Sequence, residues 1–135
     1  MMSRDLLVSK LSELKRKGMK PIFWFVRWKN SKLKESIFWD EIEVEWAYPE
    51  EDNLSVFLPD EWCVKNDYHG LTVFDIDDMS DSDSLESSLA FTKEEAIESL
   101  KSAFHKRIKE IDKEIVFLNL KKGQLHETLR ILNNY

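Results

Sequence analysis

Cysteine, glycine and proline are all scarce in this chain, and the scarcity of cysteine and glycine excludes particular chemistries. One cysteine, Cys63, rules out an internal disulfide and a multi-cysteine zinc site, and it suits a reducing compartment, where it serves as a small half-buried apolar side chain. The three glycines, Gly18, Gly70 and Gly123, lie too far apart to form a loop that cradles phosphate. No apolar run approaches the length of a membrane span, and the opening Met1-Met2-Ser3-Arg4-Asp5 lacks the apolar stretch of a signal peptide. A cytoplasmic protein with no membrane partner is the expectation.

Basic residues are nearly missing from the middle. Residues 35–100 hold 20 Asp and Glu against only Lys65 and Lys93, a net charge of −18. Residues 1–34 carry +8 and residues 101–135 carry +4, so the overall −6 conceals a strong segregation. A block this acidic repels nucleic acid and attracts basic protein surfaces.

What the chain does have is enough apolar mass to fold. At 135 residues, 42% hydrophobic, with eight Phe, five Trp and three Tyr, it suits one domain, 1–135, that needs no structural metal or cofactor. The expected class is α+β: an N-terminal helix at 4–17, an antiparallel sheet within 20–76, an acidic loop at 77–90 and a long helix at 92–133.

The first helix follows from Ser3 as N-cap and from Leu6, Leu7, Leu11 and Leu14 at helical spacing, closed by Gly18 with Pro21 beyond. Pro21 to Lys29 is dense in aromatic and β-branched residues and reads as a buried strand, with a turn expected at 30–32. After Ile37-Phe38-Trp39, the residues Ile42, Val44 and Trp46 alternate with Glu41, Glu43 and Glu45, the period of a half-buried strand. Residues 53–58 and 70–76 complete an expected meander of about four strands, and the Ser- and Asp-rich stretch from Asp75 to Ser88 reads as a mobile loop.

Thr92-Lys93-Glu94-Glu95 is a capping box that opens the last helix, with Phe91 placed to staple onto Ala96. From there the apolar positions Ile108, Ile111, Ile115, Leu118, Leu125, Leu129 and Leu132 alternate three and four apart, with Lys122 filling the one gap. That is a coiled-coil seam: Ile108, Ile115, Lys122 and Leu129 at a, Ile111, Leu118, Leu125 and Leu132 at d. Ile at a with Leu at d favours two parallel strands, so a homodimer is expected, in which Arg107 could reach Asp112 of the second copy. Ile97, Leu100 and Phe104 continue the stripe out of heptad phase, as a helix packing on its own sheet requires. A helix that turns back at Gly123 is the competing arrangement, because glycine weakens a helix interior and because Val116, Phe117 and Leu120 lie off the seam.

Catalytic patterns fall short. Glu43-Val44-Glu45 and the run Asp60 to Lys65 put no Lys two residues after a Glu, as a metal-dependent nuclease would want. Asp75, Asp77, Asp81, Asp83 and Glu86 imitate calcium-loop spacing but lack the turn glycine and have Met79 where an oxygen ligand belongs. His69, His105 and His126 form no triad or zinc pair by spacing. A non-catalytic protein without cofactor or metal is expected. Most of Trp24, Trp28, Trp39, Trp46 and Trp62 should be core; a sheet covered on one side only would leave one aromatic set exposed.

The layout of an aromatic-rich sheet, an acidic loop and a Phe91-to-Ala96 entry into a terminal coiled coil resembles small accessory proteins of bacteriophages and other mobile elements, inhibitors of host defence among them. The resemblance implies a non-catalytic role against a host protein. On the residues themselves, the leading expectation is binding of a basic, nucleic-acid-binding protein through Glu41, Glu43 and Glu45 with Asp75, Asp77, Asp78, Asp81 and Asp83. Alternate strand residues rise about 6.6–6.8 Å, comparable to successive phosphates. The alternative is a nucleotide-binding module that uses sheet aromatics with Arg27 or Arg107. Direct nucleic-acid binding by the basic first helix has to overcome the acidic block.

Overall fold

The computed structural model describes residues 3–30, 35–70, 72–80 and 84–135. The chain divides into two compact units, Met1–Ala103 and Phe104–Tyr135.

In the first unit, helix α1 (Arg4–Arg16) starts where the Leu6 amide donates to Ser3 Oγ at 3.3 Å. It ends in a Schellman motif: Met19 N–H donates to Leu14 O at 2.9 Å and Gly18 N–H to Lys15 O at 3.1 Å, with Gly18 at φ +69°, where a side chain would be strained. The stripe buries Leu7 and Leu11.

Strand β1 (Ile22–Asn30) is the centre of a three-stranded antiparallel sheet, flanked by β2 (Glu35–Glu43) and β6 (Ser87–Ala90). In register, Phe23 lies across from Ile42, and Phe25 across from Leu89. These four point into the core, with Phe23 and Phe25 fully buried. The neighbouring strand β3 (Glu45–Trp46) belongs to a second antiparallel sheet with β4 (Val56–Phe57) and β5 (Val73–Phe74), in the order β3-β4-β5. The chain passes between sheets at Val44, whose N–H donates to Pro21 O at 3.1 Å, while Ala47 N–H donates to Ser55 O at 2.8 Å. Opposite parity sends these two bonds to opposite sides of one extended stretch.

Three features differ from the sequence reading. Among the described residues, six strands in two sheets replace the expected meander of four. A short helix, α2 (Asp60–Lys65), stands between the strands expected at 53–58 and 70–76 and delivers Trp62 to the core, 4.3 Å from the Phe25 ring centroid in an edge-on arrangement. Within the expected loop at 77–90, α3 (Ile76–Ser80) buries Met79, and β6 pairs along β1 from Arg27 to Trp24. Its Ser and Asp content hid it: Ser87 and Ser88 are buried by their neighbours rather than by their own hydrophobicity. Asp81 and Asp83 lie outside the described residues.

Helix α4 (Lys93–Leu132) begins with Glu95 N–H donating to Thr92 Oγ1 at 3.2 Å. The ring of Phe91, expected to staple onto Ala96, stacks on Phe23 with centroids 4.6 Å apart. Within the first unit the helix buries Ala96, Ser99, Leu100 and Ala103. It then runs unbroken through Gly123, which removes the hairpin alternative. In the second unit the described side chains from His105 onward are all exposed.

The tryptophans are mostly not core. Trp62 alone is fully covered, Trp24, Trp28 and Trp46 are half-buried, and Trp39 is 50% exposed. Parity explains this: Phe23 and Phe25 take the inner face of β1, which leaves Trp24 on the outer face.

Candidate protein-binding surface

The row Glu41, Glu43 and Glu45 takes the position its alternation predicts. Each is exposed, while Ile42 and Val44 between them are buried and Trp46 is half-buried. Since Val44 is 0% exposed and its amide is bonded to β1, the backbone under the glutamates cannot rotate freely. Glu45 is met by Lys20 at 3.2 Å.

Two hollows lie along this stretch. One, about 560 Å³, is lined by Lys20, Glu43, Glu45, Phe57, Leu58, Pro59, Asp60, Glu61 and Thr72. The other, about 390 Å³, is lined by Asp40, Glu41, Ile42, Glu43, Pro59, Glu61, Trp62 and Lys65. They share Glu43, Pro59 and Glu61 and so form one trough between β2 and α2. Six carboxylates face two lysines in it. From the sequence Asp60 and Glu61 were weighed only as part of a nuclease-like run and not as part of the acidic surface, although an acidic pair after Pro59 and before Trp62 is the signature of a helix first turn.

The remaining acidic candidates are placed differently. Asp75, Asp77 and Asp78 line neither hollow. Asp75 and Asp78 cap one another, Asp78 N–H donating to Asp75 Oδ1 at 2.9 Å and Asp75 N–H to Asp78 Oδ2 at 3.1 Å. Burial, then the neighbouring Asp75 charge, pushes the Asp78 carboxyl above the ordinary range. Asp77 pairs with Arg4 at 3.1 Å, tying α3 to α1.

Lys10, Lys15 and Lys17, on and just after α1, are engaged within the fold. Lys15 donates to the carbonyls of Tyr48, Glu51 and Asn53 and lies over Trp46, Lys10 lies over Phe91, and Lys17 pairs with Glu13 at 2.9 Å. Arg27, a candidate ligand clasp, donates to the Asn66 carbonyl and lies 5.3 Å from the Tyr68 ring centroid. Arg107 meets Glu110 and Glu114 of its own helix, each at 3.4 Å. Burial raises the Cys63 thiol, which disfavours the reactive thiolate. Among the described residues no three His, Cys, Asp or Glu side chains gather as a metal-ligand set, and no helix is long and apolar enough to cross a membrane.

The apolar residues of α4 beyond the first unit are exposed on and off the heptad positions alike, Val116, Phe117 and Leu120 standing 60–66% exposed. Ile108, Ile111, Ile115, Leu118, Leu125, Leu129 and Leu132 stand 39–64% exposed, and Lys122 is exposed among them. Comparison of the chain with protein-family models, with curated proteins and with solved structures finds no match.

Proposed function

We propose that this protein is a non-catalytic, homodimeric interaction protein that binds and inhibits a basic, nucleic-acid-binding protein through the acidic surface at Glu41, Glu43 and Glu45. The observation that carries the reading is the row of three exposed glutamates along the extended stretch from β2 into β3, held by the buried Ile42 and Val44 between them. A rigid array of like charges costs the molecule self-repulsion, which a basic partner relieves on binding. The role is the one implied by the resemblance to phage inhibitors of host defence. Asp60 and Glu61 extend the surface, whereas Asp75, Asp77 and Asp78 serve the packing of α3.

Dimerisation rests on α4. An isolated helix gains little from propensity alone, and burial of the Ile and Leu seam against a second copy provides the missing stabilisation. Two copies also present two acidic surfaces, which raises avidity for a repeating target.

The test is charge reversal. Glu41/Glu43/Glu45→Lys should slow association with a basic partner strongly and leave the fold intact, since each outward strand position changes stability by less than about 0.5 kcal/mol. Binding of the wild type should weaken as salt rises. A triple variant that keeps both its melting temperature and its full biological effect refutes the reading.

A further inference from the structure

Strand β2 is the outer strand of its sheet, and the hydrogen-bond parity shows what its free side presents. Val44 N–H bonds to Pro21 O at 3.1 Å and Trp28 N–H to Glu86 O at 2.8 Å. With the β1–β2 register, these two bonds make Phe23–Ile42 and Phe25–Asp40 the hydrogen-bonded pairs. The backbone amides and carbonyls of Ile37, Trp39, Glu41 and Glu43 are therefore turned away from β1, and of these residues Glu41 and Glu43 line the trough. Among the described residues no strand pairs with this edge; nine residues is long for an outer strand, and its outward backbone is a template for another strand.

The two faces beside that edge differ in chemistry. The side chains of Glu41 and Glu43 lie on one face, alternating with Ile42 on the other, where Pro59 and Trp62 line the same hollow. A strand laid against the edge would place one set of its side chains beside the glutamates and the other beside Ile42 and Trp62. Alternating basic and apolar residues match that arrangement by charge and by period.

We propose that the free edge of β2 takes up an extended segment of a partner protein, in which basic and apolar residues alternate, as an added β-strand. This deepens the acidic-surface reading and rests on it. Main-chain hydrogen bonds hold the segment, and Glu41 and Glu43 select its charge.

The test uses a fluorescein-labelled peptide of alternating Lys and Val, as long as β2, and fluorescence anisotropy at low salt. The full-length protein should bind it, and a peptide N-methylated at alternate amides on its hydrogen-bonding side, with the same charge, should bind at least tenfold more weakly. Glu41→Pro and Glu41→Gln remove the same charge, but only proline removes the outward N–H, and it leaves the bonds to β1 in place. Glu41→Pro should therefore lose at least tenfold in affinity relative to Glu41→Gln. If both peptides bind alike, or the two variants bind alike with the fold intact, strand addition is overturned and the acidic surface stands on charge alone. If neither peptide binds, both readings are overturned, and the glutamates guard the edge against pairing. The peptide comparison decides the matter even if Glu41→Pro fails to fold.

Discussion

The ammonium of Lys93 stands 4.1 Å from the centroid of the Trp39 ring and 5.7 Å from that of the Trp24 ring. Lys93 opens α4, where a cation opposes the helix dipole, and the two indoles offset that penalty. Trp24 and Trp39 sit on the outer face of the β1–β2 pair, so this contact joins the start of the helix to that face. Lys93→Ala should cost about 0.5–1 kcal/mol. A double-mutant cycle with Trp39→Ala, read by urea denaturation, should show coupling of that order; additive effects would mean that the contact contributes nothing.

The mutual caps of Asp75 and Asp78 lead to a pH prediction. The Asp78 carboxyl titrates above its ordinary value in the fold, because burial and then the Asp75 charge disfavour its ionised form. The folded state thus holds this proton at pH values where the unfolded chain has released it. Its contribution to stability is present below the unfolded value and lost as pH rises through the folded one. Asp78→Asn keeps an oxygen acceptor for the Asp75 amide and removes the titration. Its melting temperature should be flatter than that of the wild type as pH rises from the ordinary aspartate range. Identical slopes would refute the assignment.

The α4 seam predicts assembly. Ile115→Asp with Leu118→Asp places uncompensated charge in the apolar stripe and should yield a monomer by sedimentation, while the wild type sediments as a dimer at tens of micromolar. Lys122 lies at an a position, where a parallel, in-register pair sets it against its own copy. Lys122→Ile should then raise the melting temperature and loosen the preference for two strands. A monomeric wild type would end the dimer proposal.

Gly123 lies inside α4, and a Cβ added there meets nothing within 4 Å. Gly123→Ala should stabilise the helix by about 0.8–1 kcal/mol, measured as a gain in helicity at 222 nm and in melting temperature. A loss instead would mean that a second chain approaches closely at this position.

The helices were the most legible part of the sequence, because their signals are local. Ser3, Gly18 and Thr92 mark helix ends by hydrogen bonds to residues a few positions away, and these bonds form, although among the described residues only the threonine half of the Thr92–Glu95 box is seen and Glu95 Oε2 is buried without a partner. The Glu41–Trp46 alternation was equally readable, since a period of two can satisfy only one buried face. Strand β6 was not legible: Ser87-Ser88 carries no hydrophobic signal, and its pairing with β1 spans about sixty residues of chain. Helix α2 was missed for a related reason, being six residues long and stabilised by Trp62 reaching Phe25 rather than by its own length.

The sequence by itself determined the class, the capped helices, the exposed glutamate row and the heptad stripe, all properties of spacing along one segment. Only the tertiary structure decided which aromatics form the core, because the choice between Phe23/Phe25 and Trp24 depends on which face of β1 meets α1 and α2. It alone brought Asp60 and Glu61 beside Glu43, and it alone turned the amides of Glu41 and Glu43 outward. Those outcomes depend on pairing between distant segments, and loop closure brings such segments together only when burial across the whole sheet offsets the entropy lost.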